Sequence, residues 1–553
     1  MKTIGLSLVI AAALVSTPAH AEDKSTEIDK IFSWATPTTP GCAVAASLHG
    51  KLVVNRAYGS ADLERDVPIS PVSIFDAGSL TKQFVAAATL LLVEDGRLSL
   101  SEDIRRYIPE MNDTGHKVTV DHLLTHTSGV RDWTGIAPLA TGNPDALTIV
   151  LRQRGLNFAP GEEWSYSNSG YVLLKEIIAR TGGMPFSEFT RRRLFEPIGM
   201  TSTTYSDDLR GIVRNRAVAY HKTGDRWRLA MLLDNDRGGG GALLSTARDL
   251  ITWNEALTGG RLGAFVTAKL QEPAKLNNGR KLGYTRGLFL DTYRDAREIW
   301  HTGSAAGYKS WLGRYPEHGL SIAIMCNSGD DTNRTRFAHR IFDLYVPGTA
   351  AAGAAAKAPV AIDGVPEAPK VDLSGKPGLF FSERTGEPLR LIVDRGWLRV
   401  ANGPPLAPLG SDRFRPLRPF LQFMSADAFE LQMLPEDGFE LRSMEGTTTR
   451  YHRARPHTPA EDELNAFAGR YESDEVGTVF QIEPRGDGLV MRLGRSPARS
   501  LELRLVDRDI FQQGMMTVRF HRDKTGKAVA LHYSNPLVRG VKFTRVTDVK
   551  PGG

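Results

Sequence analysis

Between residues 348 and 369 the chain turns to Ala, Gly and Pro, with two Ala triplets followed by Pro359, Pro366 and Pro369. Such a stretch cannot bury a core and reads as a linker. It separates two regions that must fold by different rules. Upstream, from Ile28 to about Val346, strand-like and helix-like stretches alternate. Cys42–Leu48 and residues 52–57 flank Gly50-Lys51 as one predicted hairpin, and Tyr308–Tyr315 and residues 320–327 flank Pro316 to Gly319 as another. Strands at both ends with helices between them predict an α+β domain: an antiparallel sheet closed by the two terminal segments and packed on a helical region. Downstream, short alternating apolar segments dominate, and a shift of 91 positions aligns Gly378 with Gly469, Ser382 with Ser473, Leu389 with Phe480, Leu391 with Ile482, Leu398 with Leu489 and Val400 with Met491. Two related all-β units are expected, each of a size for a small antiparallel barrel whose closure removes exposed edges.

The expected division is 1–21 signal peptide, 22–346 α+β domain, 347–370 linker, 371–456 first barrel and 463–548 second barrel. The signal peptide is read from Lys2, an apolar run over residues 4–15 and Ala19-His20-Ala21, so a soluble protein of the periplasm or exterior is expected. No later apolar run is long enough for a membrane span. The net charge of +6 is small for 553 residues and its basic residues are dispersed; Arg191-Arg192-Arg193, the densest cluster, reads as a solvated helix face, so nucleic acid is not expected as a partner. Cys42 and Cys326 both lie in apolar runs and read as small core residues, with a single bridge between them possible in an oxidising compartment.

Three segments carry chemistry. In the first, Ser79-Leu80-Thr81-Lys82 precedes an almost wholly apolar stretch, Val85 to Val93, which ends at Asp95-Gly96. A helix apolar all round is a buried one. Ser79 then falls where helix N-H groups favour a developing oxyanion, and Lys82, three residues on, shares its face. Desolvation lowers the proton affinity of such a lysine, so a neutral amine able to take the serine proton becomes accessible. In the second segment, Tyr166 offers a phenol for proton transfer and Asn168 an amide to hold a substrate carbonyl and the lysine. In the third, His301-Thr302-Gly303-Ser304, Gly303 permits close backbone approach and the Ser304 N-H can pair with that of Ser79 as an oxyanion hole. Taken singly, each segment has a bland reading; their weight lies in occurring together and in order.

These motifs, with Leu123 to Gly129, Pro197 to Thr201, and Gly238 to Gly241 followed by Leu244 to Leu250, resemble the serine β-lactamase and DD-peptidase superfamily in its class C branch. The tail, Ala468 to Glu475, Phe520 to Asp523 and Arg539 to Val541, resembles the last domain of bacterial D-aminopeptidases, which carry two lipocalin-like eight-stranded barrels after the catalytic domain. The resemblance implies Ser79, Lys82 and Tyr166 as catalytic residues, and Asn168, His301, Gly303 and Ser304 as substrate-binding ones. It implies a D-aminopeptidase or D-stereospecific amidase acting on a small peptide, amide or ester substrate without metal or other cofactor. An esterase, a weak β-lactamase, or a penicillin or cell-wall-peptide sensor that does not turn over are the alternatives.

In D-aminopeptidases a loop of the last barrel reaches the active site and helps recognise the substrate amine. Here the matching stretch, Phe511 to Met516, is short and carries no acid, although Asp507 and Asp509 are near in sequence. His301 stands where most penicillin-hydrolysing members have lysine; an imidazole, mostly uncharged near neutral pH, anchors a carboxylate less strongly. His122 and His126 are spaced as helical metal ligands, but the Glu of the zinc-protease pattern is missing. Trp133, Trp164, Tyr308 and Trp311 read as core or rim residues before acyl-pocket walls.

Overall fold

The computed structural model describes residues 24–208, 211–230, 242–329, 333–347, 368, 370–401, 403, 405–416, 429–443, 448–494 and 500–546. The predicted signal peptide, most of the linker and the Gly238 to Gly241 run lie outside them. An antiparallel six-stranded sheet organises the first part: β1 (Cys42–Leu48), β2 (Lys51–Tyr58), β3 (Phe289–Tyr293), β4 (Ala296–Ala305), β5 (Tyr308–Tyr315) and β6 (Leu320–Cys326), in the spatial order β3-β4-β5-β6-β1-β2. The two hairpins expected from sequence thus meet along β1 and β6 in the middle of the sheet. Both faces are covered, so β1 and β6 are apolar at nearly every position. Ala43, Ala45, Ile299, Leu312 and Met325 enter one core, and Val44, Ala46, Trp300, Trp311 and Ile324 enter the other.

Cys42 and Cys326 form a disulfide, contrary to their reading as free core thiols. The cause is register: antiparallel pairing of β1 with β6 sets Cys42 directly opposite Cys326, both facing the same core. Cross-strand partners on one face are side-chain neighbours. Pairing between strands 284 residues apart is invisible in the local pattern around either cysteine.

Between the hairpins lies the helical region. The helix α1 (Thr81–Glu94) is buried from Lys82 to Leu92, as its almost wholly apolar run from Val85 to Val93 leads one to expect. It packs against α2 (Asn168–Gly182), and α3 (Ala247–Thr258) crosses between it and the sheet, where Trp253 Nε1 donates to Gln83 Oε1 at 2.6 Å. These contacts hold the start of α1 against the end of β4.

Beyond the linker, β7 (Gly378–Ser382), β8 (Pro388–Asp394), β9 (Trp397–Val400), β10 (Leu406–Pro408), β11 (Arg413–Pro416), β12 (Phe429–Leu434), β13 (Gly438–Ser443) and β14 (Thr448–Arg453) form an eight-stranded sheet in the order β9-β8-β7-β14-β13-β12-β11-β10. Its two end strands approach through a bridge between Arg399 and Pro405. The strands β15 (Gly469–Ser473), β16 (Thr478–Arg485), β17 (Gly488–Leu493), β18 (Ser500–Asp507), β19 (Ile510–Gln513), β20 (Met516–Arg522), β21 (Ala528–Asn535) and β22 (Val538–Val546) close into a barrel. The sequence repeat is preserved in strand register: Gly378 pairs with Leu391 as Gly469 pairs with Ile482, and Leu391 with Val400 as Ile482 with Met491. Repeated apolar alternation specifies register because a one-residue slip would turn the core face outward. This is an α+β chain with barrel-like all-β units at its C-terminal side. No helix among the described residues is long and apolar enough to cross a membrane.

Candidate active site

Ser79 lies in the 3-10 turn Gly78–Leu80, which runs directly into α1. Gly78 has φ +55°, and a Cβ there would stand 2.5 Å from Ser304 N. On the facing strand, a Cβ on Gly303 would stand 1.9 Å from Ala77 O. Both glycines are therefore required for β4 to lie against the serine turn, and Ser310 Oγ fastens the approach by donating to Ala77 O at 2.7 Å. Strand β3 pairs only with residues 296–300 of β4. Residues 301–305 form the edge beside Ser79.

One turn beyond Ser79, Lys82 Nζ donates to Ser79 Oγ at 3.2 Å and to Asn168 Oδ1 at 3.0 Å. The lysine is 5% exposed, and burial lowers its pKa from 10.5 to about 7, with the Asp132 carboxylate pulling upward and Lys175 pulling downward. A large neutral fraction is thus available at neutral pH, 3.2 Å from a hydroxyl it can deprotonate. The ammonium also lies 4.7 Å from the centroid of the Tyr166 ring. Burial drives the Tyr166 phenol well above its ordinary range, against the opposing effect of a hydrogen bond with Ser79. Tyr166 therefore stays protonated at neutral pH.

Asn168, at the first turn of α2, is held by Asp132: Oδ2 accepts from Asn168 N at 2.7 Å and from Nδ2 at 3.0 Å. The other carboxylate oxygen caps a 3-10 turn, accepting from Thr134 N at 2.9 Å and Thr134 Oγ1 at 2.7 Å. With its amide nitrogen turned to Asp132, Asn168 must present Oδ1 to Lys82. Asp132 is absent from the sequence reading, though an Asp two residues ahead of Thr134 is a local capping signal.

An aromatic wall backs the site, built from His126, Trp164, Tyr166, Tyr171, Tyr284, Phe289 and His301. His126 Nδ1 accepts from Ser167 N at 3.1 Å, which fixes Nε2-H toward Tyr284 Oη at 3.2 Å. His301 Nδ1 lies 2.6 Å from Thr302 O and so carries the proton, leaving Nε2 as acceptor 3.4 Å from the same Tyr284 hydroxyl. At 2% exposure His301 has its pKa lowered to about 3, by burial first and by Lys82 second. It is a neutral member of the wall with both nitrogens engaged. His126 is held well below the usual imidazole range for the same reasons.

All seven residues singled out from sequence converge: Ser79, Lys82, Tyr166 and Asn168 directly, His301 in the wall, and Gly303 and Ser304 on the adjoining edge. The other candidates lie elsewhere. Trp164 joins the wall, Trp311 and Tyr308 are core, and Trp133 packs toward the second barrel. His122 caps its own helix, its Nδ1 accepting from Thr119 N at 3.2 Å. The hairpin that includes Phe511 to Met516 turns tightly, and Gln512 contacts Arg390 of the first barrel. Asp507 faces His452, and Asp509 pairs with Arg522 at 2.8 Å.

A part-buried serine and asparagine around a buried lysine and tyrosine, at the foot of a helix beside a strand edge that no described strand pairs with, define a serine-hydrolase type of site, and comparison with known proteins gives the family. The Beta-lactamase family model matches residues 33–345, and the chain belongs to that family. A domain of unknown function, DUF3471, matches residues 453–545. Penicillin-binding protein 4* of Bacillus subtilis (strain 168) is 29% identical over 315 residues, covering 52% of this chain and 68% of that protein. The D-aminopeptidase of Gluconobacter oxydans (strain 621H) is 27% identical over 299 residues, covering 52% of this chain and 56% of that protein. The chain thus spans between about half and two thirds of these relatives' length. Among solved structures, D-amino acid amidase from Ochrobactrum anthropi SV3 complexed with L-phenylalanine amide matches at TM-score 0.50 and 25% identity, over 58% of this chain and 98% of that one. The structure of SurE matches at TM-score 0.50 and 18% identity over 94% of this chain and 98% of that one, a likeness of fold.

Proposed function

We propose that this protein is an exported D-aminopeptidase or D-amino acid amidase working through an acyl-enzyme on Ser79. The observation that carries the reading is Lys82 Nζ, buried between Ser79 Oγ and Asn168 Oδ1 at 3.2 and 3.0 Å with a pKa of about 7. Neutral Lys82 takes the Ser79 proton as Oγ attacks the carbonyl carbon. The resulting oxyanion is received by the N-H groups of Ser79 and Ser304, a role supported by the close packing of Gly78 on Ser304. Tyr166, held as a phenol, gives its proton to the leaving amine and recovers one from the Lys82 ammonium. Water then attacks the ester by the same groups in reverse.

Among the described residues no strand pairs with the edge of β4 at residues 301–305, which suits an extended substrate laid alongside it. A neutral His301 with both nitrogens engaged offers no anchor for a substrate carboxylate, which supports an amide or aminopeptidase substrate over a peptide with a free C-terminus. The names of the D-aminopeptidase and D-amino acid amidase relatives support the stereochemistry. Export is supported by the signal-like N-terminal segment and by the disulfide, which persists in oxidising compartments.

Turnover of D-alanine p-nitroanilide, L-alanine p-nitroanilide, p-nitrophenyl acetate and nitrocefin, each compared with the Ser79→Ala variant, tests the reading. Ser79-dependent activity highest on the D-amide supports it. Ser79-dependent cleavage of the ester alone would replace it with an esterase.

A further inference from the structure

Arg131 and Asp132 are neighbours in sequence but hold different parts of the molecule. Asp132 grips Asn168, the partner of Lys82. Arg131, 6% exposed, points away into the second barrel. Its guanidinium donates to Arg539 O at 3.1 Å, to Gly540 O at 3.2 Å and to Glu475 Oε2 at 2.7 Å, all three on the barrel. Its contact within its own domain, to Gln153 Oε1, is the longest at 3.5 Å. The turn between β21 and β22 completes the grip. Leu537 O accepts from Asp132 N at 3.4 Å and from Asn157 Nδ2 at 3.0 Å, and Asn535 Nδ2 donates to Gly135 O at 2.9 Å.

Apolar packing follows the same path. Ile136, Leu139, Ala140 and Ile149 share one core with barrel residues such as Tyr471 and Val538. Arg539 also reaches Glu163, three residues before Tyr166, at 3.0 Å, and Glu387 of the first barrel at 2.5 Å. A buried guanidinium stripped of its acceptors is costly, so Arg131 cannot keep this position without the barrel.

We propose that the last hairpin of the second barrel is part of the active-site scaffold: Leu537, Arg539 and Gly540, with Glu475, act as positioning residues that fix Arg131 and Asp132 so that Asn168 faces Lys82. The barrel is then not an appended binding module but a structural half of the catalytic centre. This rests on the acyl-enzyme reading for its consequence, though not for its geometry.

The test compares the mature full-length protein with its Glu475→Gln, Arg131→Met and Ser79→Ala variants. The rate of Ser79 labelling by a fluorophosphonate probe is followed across pH, with kcat and KM on D-alanine p-nitroanilide and a melting curve for each. Misplacement of a catalytic group by about 1 Å costs about 100-fold, the loss expected in kcat and labelling rate for Arg131→Met, with about tenfold for Glu475→Gln and KM within about twofold. Because Asp132 raises the proton affinity of Lys82, its displacement shifts the acid limb of the pH profile to lower pH, a change that loss of folded protein would not produce. Folded variants with parental rates and an unmoved limb overturn the proposal, and should Arg131→Met fail to fold, Glu475→Gln decides. Labelling that survives in Ser79→Ala would instead sink the acyl-enzyme reading. The Lys82 ε-carbon NMR titration, which needs no turnover, then decides positioning by whether it moves in Glu475→Gln.

Discussion

Replacing Lys82 by methionine should abolish acylation and at the same time stabilise the protein. In the fold the lysine pKa falls from 10.5 to about 7 through burial at 5% exposure. The folded state then binds fewer protons than the unfolded chain between those values, so stability is lost as pH falls from 10.5 toward 7. At about 1.4 kcal/mol for each decade of affinity, the lysine costs the fold about 4 kcal/mol at pH 7. Methionine of similar length removes that cost but strips Asn168 Oδ1 of its donor, a loss of about 1–3 kcal/mol. A net gain of about 2 kcal/mol remains, roughly 5 °C in the melting temperature of a domain this large. Calorimetry of both proteins from pH 6 to pH 10, together with Ser79 labelling rates, is the assay. The gap in stability should shrink toward pH 10 and the labelling rate should fall by about a thousandfold or more, as for other activated serines. A Lys82→Met protein that is less stable at pH 7, or that retains a tenth of the labelling rate, would refute the account of this lysine.

Three further outcomes are expected. Because His301 and His126 are held neutral below their ordinary range, the unfolded chain binds protons first, so stability falls as pH drops below about 6.5, by up to about 1.4 kcal/mol per pH unit for each ring; acid melting curves of His301→Gln should show a shallower decline. Gly303→Ala places a methyl 1.9 Å from Ala77 O and 2.1 Å from Ser310 Oγ, so β4 must move from the serine turn and kcat should fall about 100-fold while circular dichroism is unchanged. The double variant Cys42→Ser, Cys326→Ser should lose about 2–5 kcal/mol of stability by denaturant titration, with KM little altered, since the bridge joins β1 to β6 and β5 separates β6 from β4.

What the sequence made legible was what local chemistry encodes. The apolar run after Lys82 could only be a buried helix, and Ser79 and Lys82 on its first turns had to share a face. The β-strand repeat was readable because alternation repeats with register, and the same residues pair in both units. What stayed hidden depends on contacts between distant segments. Asp132 looks like an ordinary turn residue until α2 brings Asn168 to it. His126 invited a metal reading through its spacing from His122, yet a backbone N-H at Ser167 and the hydroxyl of Tyr284 occupy its two nitrogens. The bridge between Cys42 and Cys326 required the register of β1 on β6. The grip of the last hairpin on Arg131 joins residues more than 400 positions apart, and no periodicity within either segment announces it.

The most direct test of the central claim is intact-protein and peptide mass spectrometry of the protein quenched in acid during incubation with a D-amino amide, or after exposure to benzylpenicillin. An adduct with the mass of the acyl group is expected on the peptide that contains Ser79, absent from Ser79→Ala and strongly reduced in Lys82→Met. Undiminished turnover by the Ser79→Ala protein, or an adduct on any other residue, would contradict it.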